Sequence, residues 1–405
     1  MAQTPIGGAG FGSVVSSLFG GDAGKQPGSA RARVPGHRGL LGDIYWLNLI
    51  PALLLMAYGL VVVWSASLTN SEASLPRQAV GAALGLIAAA VIWRYDYRNL
   101  ANMSTWLLVF VVLLMVSPRI PGIGVSAKGM TGWVKLGPLR FQPAELGKLG
   151  VIFLMASLGA QFNGHIKEFK DYAKLCATLL VPFAAIMVQP DLGSGLIILV
   201  TGAWIIICSG ARRDWVLITL GLVVIAAALI IFTSLNFGFP LKEYQLNRLL
   251  VFVDPTRDTS GSGYNLMQAK IAVGSGGLFG KGLTGATQSA GGFLPENHTD
   301  FIFARLAEEF GFVGALGLFA LYGWLIFSTI RLAMRLEAPF AKLVLSGVAA
   351  MWSYQLLQNV GMCIGIMPIT GIPLPFISYG ATSMVVQVAA VGIVQSVYHH
   401  RPKSA

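Results

Sequence analysis

Charged residues are scarce in this sequence. Only 11% of its 405 residues are Asp, Glu, Lys or Arg, and 55% are hydrophobic, whereas a soluble domain has about 25% charged residues. A chain with so little charge cannot cover a compact fold with a water-compatible surface. The composition therefore excludes a soluble globular protein and favours a protein embedded in a membrane.

Cysteine is also scarce. The three cysteines, Cys176, Cys208 and Cys363, all fall within apolar runs, and their spacing offers neither a disulfide framework nor a metal site. Residues 1–40 are rich in Gly, Ser, Ala and Arg and lack the apolar core of a cleaved signal peptide. This composition predicts a disordered cytoplasmic tail, while residues 41–400 predict a single transmembrane domain.

The sequence contains many long apolar runs. Crossing the hydrocarbon core of a bilayer takes about 20 helical residues, and inside lipid every backbone polar group must be bonded within its own segment. The runs therefore predict an all-α polytopic membrane protein with about ten transmembrane helices. They cover residues 44–66, 79–93, 100–116, 144–158, 172–188, 193–208, 215–233, 301–330, 343–365 and 376–398.

The cations between these runs predict the orientation. Short cytoplasmic loops are enriched in Lys and Arg, so we expect the N-terminus inside, and an even number of spans then places both termini in the cytoplasm. This bias explains most of the net charge of +11, which therefore does not indicate nucleic acid. The cations concerned are Arg94, Arg98, Lys167, Lys170, Arg212, Arg213, Arg331, Arg335, Arg401 and Lys403.

Two long loops face the outside in this topology. Residues 117–141 are rich in turn-forming residues and predict a short hairpin. Residues 234–300, between spans 7 and 8, form a loop far longer than most connections, whose median is about 5 residues. Apolar residues occur throughout this large extracytoplasmic loop. They predict order, with amphipathic helices at 246–253 and 264–273 lying against the membrane.

Acidic residues near the outer ends of spans are candidates for function, because ionisable groups close to a membrane interior are costly. Glu145 and Lys148 stand three apart on a predicted helix and so share a face. They could form a structural ion pair that also lines a cavity. Asp191 and Glu308 are further candidates, and Arg305, three residues before Glu308, is its predicted partner.

Asp300 lies in the stretch 294–301 (LPENHTDF), where the large loop re-enters the bilayer. Two interpretations are open. Partial burial disfavours the charged form of a carboxyl and makes it a usable base near neutral pH, but Asp is also a favoured helix N-cap before an apolar run. His298, two residues away, is either a second base or metal ligand, or a hydrogen-bonding neighbour.

The glycine-rich run 274–282 (GSGGLFGKG) is not a P-loop. Ser275 stands where the first glycine should be, and Gly282 stands where Ser or Thr should follow Lys281. Its backbone amides and Lys281 could still cradle a diphosphate. Residues 367–380, which include three prolines, predict a packed re-entrant turn, because irregular backbone at membrane depth must be covered by protein or line a cavity.

Several of these stretches together resemble the SEDS family (shape, elongation, division and sporulation). The resemblance runs from the first span to the last and is closer to the elongation members than to the division members. It rests on residues 141–148 (FQPAELGK), 189–193 (QPDLG), 254–255 (DP), 261–268 (GSGYNLMQ), 274–277 (GSGG), 294–301 (LPENHTDF) and 373–380 (PLPFISYG).

Members of this family polymerise lipid II into the glycan strands of peptidoglycan, so the resemblance implies a glycosyltransferase. It implies that Asp300 is the essential catalytic aspartate. Glu145 and Lys148 match the pair that lines the adjacent cavity, and Asp191 matches a further functional acid. The implied partners are a class B penicillin-binding protein and membrane lipid. The implied location is the bacterial inner membrane, with the site facing the periplasm or cell exterior.

The chemistry of that family fits these residues. Its donor is α-linked to undecaprenyl diphosphate and its product is β-1,4-linked, so the reaction inverts and needs one base but no covalent carboxylate intermediate. Asp300 is the predicted base on the acceptor hydroxyl. The diphosphate charge is predicted to be stabilised by Lys148, Arg248 and Lys281, or by a divalent cation such as Mg²⁺ or Mn²⁺. No other cofactor and no protein metal site are predicted.

Rival functions remain open from the sequence. A lipid II transporter would also need ionisable groups within a bundle of spans, although the acids here cluster at one face rather than at the midplane. A non-enzymatic scaffold of the wall-synthesis machinery would use Asp300 only as a cap, and Asn would then replace it without loss. Within the family, a division polymerase is the alternative to an elongation polymerase.

Overall fold

The computed structural model describes residues 40–127, 130–136, 139–239, 243–258 and 261–401. The predicted tail, apart from residue 40, lies outside these ranges, as does Lys403 of the orientation signal. The described part is mainly helical. Its α-helices are α1 (Trp46–Thr69), α2 (Leu75–Arg94), α3 (Ser104–Val116), α4 (Pro143–Ala160), α5 (Phe169–Met187), α6 (Leu192–Cys208), α7 (Arg213–Phe237), α8 (Glu243–Val253), α9 (Ser262–Ser275), α10 (Thr287–Ala290), α11 (Ile302–Met334), α12 (Pro339–Ile364) and α13 (Ala381–His399).

The helices outside the large loop coincide with the predicted spans. Among the described residues, seven of them (α1, α2, α4, α7, α11, α12 and α13) are long and apolar enough to cross a membrane, and α3 and α6 are apolar but shorter. Helix α5 has 19 residues and begins with a charged turn, Phe169-Lys-Asp-Tyr-Ala-Lys. The chain is therefore a polytopic helical membrane protein, and the prediction of about ten spans is confirmed.

Glycines let α2 pack closely along α13. A Cβ on Gly85 would lie 2.9 Å from Cβ of Val388, and a Cβ on Gly392 would lie 2.6 Å from Cα of Ala89. Neither position therefore accepts a side chain without movement. Close backbone approach through small residues is how helices associate in lipid, where no hydrophobic force drives them together.

Two predicted spans differ from the observed helices. The last predicted span begins at residue 376, but α13 begins only at Ala381, because Phe376 has a positive φ of 64° that a helix does not accommodate. The eighth predicted span is continuous, but α11 is broken at Gly311, whose φ and ψ are 66° and −162°. Apolar periodicity does not reveal either feature, since both residues suit an apolar run.

The two outer loops contain regular structure. Helices α8 and α9 confirm the predicted helices of the large loop. Residues 117–141 contain a three-stranded antiparallel sheet rather than a hairpin, in the order β1 (Gly124–Ala127), β2 (Met130–Leu136) and β3 (Leu139–Phe141). Residues 367–380, called the re-entrant segment below, are non-helical and mostly buried, as predicted.

Candidate active site around Asp300

Asp300 lies just before α11. The helix begins at Ile302, and Phe301 occupies the N-cap position. The backbone N–H of Phe301 donates to the carbonyl oxygen of Glu296 at 3.1 Å, so a turn of the preceding loop holds Asp300. Because the cap position belongs to Phe301, the structure does not support the interpretation of Asp300 as the N-cap.

The backbone around Asp300 is fastened to two other elements. Nδ2 of Asn359, on α12, donates to the carbonyl oxygens of Asp300 and Ile372, each at 2.8 Å. The hydroxyl of Ser378 donates to the carbonyl oxygen of Thr299 at 2.7 Å. Helix α12 and the re-entrant segment therefore set the position of Asp300 together.

Gly371, in the re-entrant segment, lies against the carboxylate of Asp300. A Cβ on Gly371 would lie 3.2 Å from Oδ2 of Asp300 and 3.9 Å from Nη1 of Arg248. The carboxylate and the guanidinium group thus both come within 4 Å of one point. Gly371 has a φ of +70°, which glycine adopts without steric cost. The structure therefore brings together two predicted site residues, Asp300 and Arg248, that are distant in sequence.

Glu145 and Lys148 form the predicted ion pair on α4. Nζ of Lys148 lies 2.6 Å from Oε1 of Glu145, and the two side chains are 1% and 3% exposed. Oδ1 of Asp191 accepts from the N–H of Ser194 at 3.0 Å and caps α6. The Asp191 carboxylate also lies close enough to interact electrostatically with Lys148 and Glu145. Lys148 therefore forms a buried ion pair with Glu145, and Asp191 lies near that pair; we call the three residues the Glu145–Lys148–Asp191 group.

The Glu145–Lys148–Asp191 group and Asp300 both adjoin the re-entrant segment. A Cβ on Gly193, in the first turn of α6, would lie 2.7 Å from the carbonyl oxygen of Thr370 and 3.6 Å from Oδ1 of Asp191. Thr370 directly precedes Gly371, the residue that lies against Asp300. A single short piece of backbone thus contacts both parts of the predicted site.

His298 makes contacts that suit the hydrogen-bonding interpretation. It is 3% exposed, and its Nδ1 lies 3.1 Å from Nδ2 of Asn70 in the loop between α1 and α2. Its Nε2 lies 3.8 Å from Oε2 of Glu72, and its carbonyl oxygen accepts from the N–H of Tyr379 at 2.9 Å. His298 therefore connects three segments around the site.

Lys281 belongs to an internal network. Its Nζ donates to Oγ of Ser275 and Oγ1 of Thr287, each at 2.8 Å, and to Oε1 of Glu308 at 3.0 Å. An ammonium group has three N–H donors, so all of them have protein partners. The predicted contribution of Lys281 to a diphosphate site has no support in this geometry.

The glycine-rich run binds to the break in α11. The N–H groups of Lys281 and Gly282 donate to the carbonyl oxygens of Glu308 and Glu309 at 2.9 and 3.0 Å. In return, the N–H of Phe312 donates to the carbonyl oxygen of Gly277 at 2.9 Å. A helix break leaves backbone groups without intrahelical partners, and the run supplies them. Backbone amides predicted to cradle a diphosphate are therefore used to complete a helix.

Arg305 pairs with Glu309, and the prediction that it pairs with Glu308 is wrong. Nε of Arg305 lies 2.7 Å from Oε1 of Glu309, four residues later, and both side chains are fully buried. Nη1 of Arg305 donates to Oδ1 of Asn297 at 3.0 Å, and its Nη2 donates to Oγ of Ser65 at 3.1 Å. This network connects α11 to α1 and to the end of the large loop.

Sequence patterns missed Asn359 and Gly371. Asn359 is a polar residue inside an apolar span, which is the signal that could have singled it out. Gly371 is one of many glycines in the chain, and no pattern marks it. Among the described residues, no three His, Cys, Asp or Glu side chains come together as metal ligands. A divalent cation on the diphosphate stays a prediction, since one or two carboxylates are enough for a cation that is also held by phosphates.

Replacing Lys148 with methionine is expected to destabilise the fold by about 3–5 kcal/mol, because removing one partner of a buried pair leaves an uncompensated charge. The double variant Glu145→Gln with Lys148→Met should recover part of that loss. The control is Arg212→Met, which breaks the exposed pair with Asp214 and should cost less than about 1 kcal/mol. Thermal unfolding in detergent measures all three, and equal losses for Lys148→Met and Arg212→Met would contradict the ion-pair assignment.

The fold and the site together define a multi-pass helical membrane protein whose buried ionisable groups lie where a large loop joins the spans. The chain belongs to the cell cycle protein family of FtsW, RodA and SpoVE, whose family model matches residues 45–403. This result confirms the resemblance seen in the sequence motifs.

Named relatives and solved structures agree with the assignment. The chain is 35% identical to the peptidoglycan glycosyltransferase MrdB of Escherichia coli over 356 residues, which cover 87% of this chain and 93% of MrdB. It is 34% identical to the stage V sporulation protein E of Bacillus subtilis, covering 87% of this chain and 96% of that protein.

This chain also matches a solved structure of a peptidoglycan synthase complex, with a TM-score of 0.75 and 31% identity. The subject of that structure is the coordination of polymerisation and crosslinking. That match covers 89% of this chain and 99% of the other. The Thermus thermophilus rod shape-determining protein RodA matches with a TM-score of 0.65 and 29% identity, covering 89% of this chain and 98% of RodA.

Proposed function

We propose that this chain is a peptidoglycan glycosyltransferase that polymerises lipid II into β-1,4-linked glycan strands during cell elongation. The observation that carries the proposal is that the Asp300 carboxylate and the Arg248 guanidinium both come within 4 Å of one point beside Gly371. A base held by contacts from α12, the re-entrant segment and the preceding turn, with a cation near it, is what a transfer from a diphosphate leaving group requires. The names of the relatives support the same activity.

The reaction is a single inverting displacement. Asp300 takes the proton from the 4-hydroxyl of the acceptor sugar as that oxygen bonds to the anomeric carbon of the donor. The bond from the same carbon to the diphosphate breaks, and the α linkage becomes β, so no carboxylate intermediate forms. The diphosphate leaves as an anion without a general acid. Arg248, whose guanidinium comes within 4 Å of the same point as the Asp300 carboxylate, is the cation that we assign to this developing charge.

Lys148 has a different role in this proposal from that of Arg248. Its ammonium group is bound to Glu145 and interacts with Asp191, so most of its charge is balanced inside the protein. We assign the Glu145–Lys148–Asp191 group to the polar wall of the substrate cavity, where it supports the re-entrant segment from the side of α6. The prenyl chains of the substrates lie between helices, open to lipid.

The proposed partner is a class B penicillin-binding protein, which would crosslink the strands. The matching peptidoglycan synthase complex, whose subject is polymerisation together with crosslinking, supports this pairing. The distribution of loop cations supports a site that faces the periplasm or cell exterior from the inner membrane.

Polymer formation from purified lipid II in detergent tests the function. Detergent micelles have no compartments, so a transporter or a scaffold produces no polymer under these conditions. The assay uses the full chain, alone and with the cognate penicillin-binding protein whose crosslinking site has been blocked. We expect glycan polymer from the wild type and none from Asp300→Asn. Folded protein that forms no polymer even with the partner would overturn the proposal and favour transport.

Gly371→Ala is expected to lower the polymerisation rate about 10–100-fold while leaving the protein folded. The new Cβ would lie 3.2 Å from Oδ2 of Asp300, so the carboxylate must shift, and the positive φ adds about 1–2 kcal/mol of strain. Gly122→Ala is the matched control, because Gly122 has a φ of +90° but no atom within 4 Å of its Cβ position. Equal rates for the two variants would show that the space beside Asp300 is unimportant.

A further inference from the structure

Asn359 joins the two pieces of backbone that form the candidate active site. It is fully buried, and its Nδ2 donates one hydrogen bond to the carbonyl oxygen of Asp300 and one to that of Ile372. Both partners are acceptors only, so the chemistry of the contacts fixes which end of the amide is the nitrogen. The two bonds connect the residue that supplies the proposed base to the residue that follows Gly371.

The other end of the Asn359 amide is its carbonyl oxygen, Oδ1. Oδ1 of Asn359 is buried and has no hydrogen-bond partner within the described residues. A buried acceptor without a partner is unfavourable, and an apolar side chain of similar size would avoid that cost. The contribution of Asn359 therefore comes from its two donated bonds.

We propose that Asn359 is a positioning residue for Asp300. Its amide sets the distance between the Asp300 backbone and the re-entrant segment, so that the carboxylate lies over the open side of Gly371 and next to Arg248. Asn359 contacts only backbone oxygens at this place and acts on the reaction through Asp300. The inference rests on the proposed function and adds the residue that holds its base in place.

The surrounding contacts explain why this bond controls geometry. Ser378 fixes the carbonyl oxygen of Thr299, and Asn359 fixes the next carbonyl along the chain, that of Asp300. These two bonds hold the peptide groups on either side of the Asp300 Cα, and so restrain the direction in which the Asp300 side chain points. With Asn359 removed, the Asp300 carbonyl loses its bond to α12. The bonds that remain are those at the Thr299 carbonyl and from the N–H of Phe301 to Glu296. Misplacement of a reacting group by about 1 Å can cost on the order of 100-fold in rate.

Asn48 provides a matched control at the other end of the protein. It is also fully buried, and its Nδ2 donates to the carbonyl oxygen of Leu325 and the hydroxyl groups of Ser328 and Thr329. Its Oδ1 likewise lacks a partner among the described residues. The substitutions Asn359→Leu and Asn48→Leu therefore remove the same chemical group from equally buried places, one beside Asp300 and one in the first turn of α1.

The experiment measures lipid II binding and polymerisation on the same purified, full-length samples. The stoichiometry of lipid II binding gives the fraction of the protein that can bind substrate. The polymerisation rate is then divided by the amount of protein that binds lipid II, which gives the rate per bound molecule. For Asn359→Leu we expect wild-type stoichiometry, a Kd within about threefold of wild type, and a rate per bound molecule lowered about 100-fold. For Asn48→Leu we expect lower thermal stability but a rate per bound molecule within about twofold of wild type.

The outcomes separate this inference from the function on which it rests. If Asn359→Leu lowers only the stoichiometry and keeps the wild-type rate per bound molecule, Asn359 is structural and the inference is overturned, even when Asp300→Asn is inactive. If both leucine variants lose rate per bound molecule equally, the effect is not specific to the site and the inference is again overturned. Polymer from Asp300→Asn at the wild-type rate would instead remove the proposed base itself.

Discussion

Asp300→Asn is expected to reduce the rate of lipid II polymerisation about 100–10,000-fold, which is the typical contribution of general base catalysis. Asparagine has nearly the shape of aspartate but does not accept a proton at neutral pH. The fold should be unchanged, because Asn359 bonds to the backbone carbonyl of residue 300 rather than to its side chain. Lipid II binding should therefore stay within about threefold of wild type, and gel analysis of labelled polymer gives the rate.

Glu296→Gln is the control for that substitution. Glu296 lies in the same turn, and its Oε2 accepts a hydrogen bond from the hydroxyl of Thr299 at 2.8 Å. The side-chain oxygen of glutamine can accept the same hydrogen bond. The same carboxylate-to-amide change four residues away should leave the rate within about threefold of wild type. If Glu296→Gln is as inactive as Asp300→Asn, the loss reflects the negative charge of the loop rather than a base at residue 300.

Gly311→Ala should lower the stability of the fold by more than about 3 kcal/mol. The backbone of Gly311, with φ 66° and ψ −162°, is accessible essentially only to glycine. A Cβ there would also overlap the backbone nitrogen of Gly280 and the carbonyl group of Leu278. Either α11 rearranges or the glycine-rich run leaves the break, and several backbone hydrogen bonds are lost in both cases. Thermal unfolding in detergent and the yield of monodisperse protein measure the loss.

Gly317→Ala tests whether the position rather than the residue type matters. Gly317 lies in the same helix, and its Cβ position has no atom within 4 Å. Alanine is favoured over glycine inside a helix by about 1 kcal/mol, so this variant should be as stable as wild type or slightly more stable. A similar loss of stability for Gly311→Ala and Gly317→Ala would show that the break in α11 does not contribute to the fold.

The spans could be predicted because lipid imposes one structure on a long apolar run. Local pairing on one helix was also predictable, and Glu145 with Lys148 is the example, since three residues of separation place both on one face. The same local reasoning failed for Arg305. Glu308 and Glu309, three and four residues after Arg305, both lie on the same helix face as Arg305. Glu308 pairs with Lys281, and Arg305 pairs with Glu309. Long-range partners of this kind have no signal in a single sequence.

The candidate site divides in the same way. Asp300 could be singled out as an ionisable group near a membrane, and Arg248 as a cation for the diphosphate. That both come close to Gly371 depends on how α8 and the re-entrant segment fold back. The glycine-rich run shows the opposite error. Flexible glycines and a lysine suggest a phosphate site by composition, yet their backbone groups are used by the break in α11. Only the three-dimensional arrangement distinguishes a ligand site from backbone that supplies hydrogen-bond partners at a helix break.

The break at Gly311 also constrains how the protein is made. The glycine-rich run leaves the ribosome before α11 does, so its hydrogen-bond partners at Glu308, Glu309 and Phe312 do not yet exist when it is synthesised. The part of α11 that follows Gly311 and runs to Met334 has by itself the roughly 20 residues needed for membrane insertion. The glycine-rich run can therefore take its final place only after residues 308–312 of the eighth span have been synthesised.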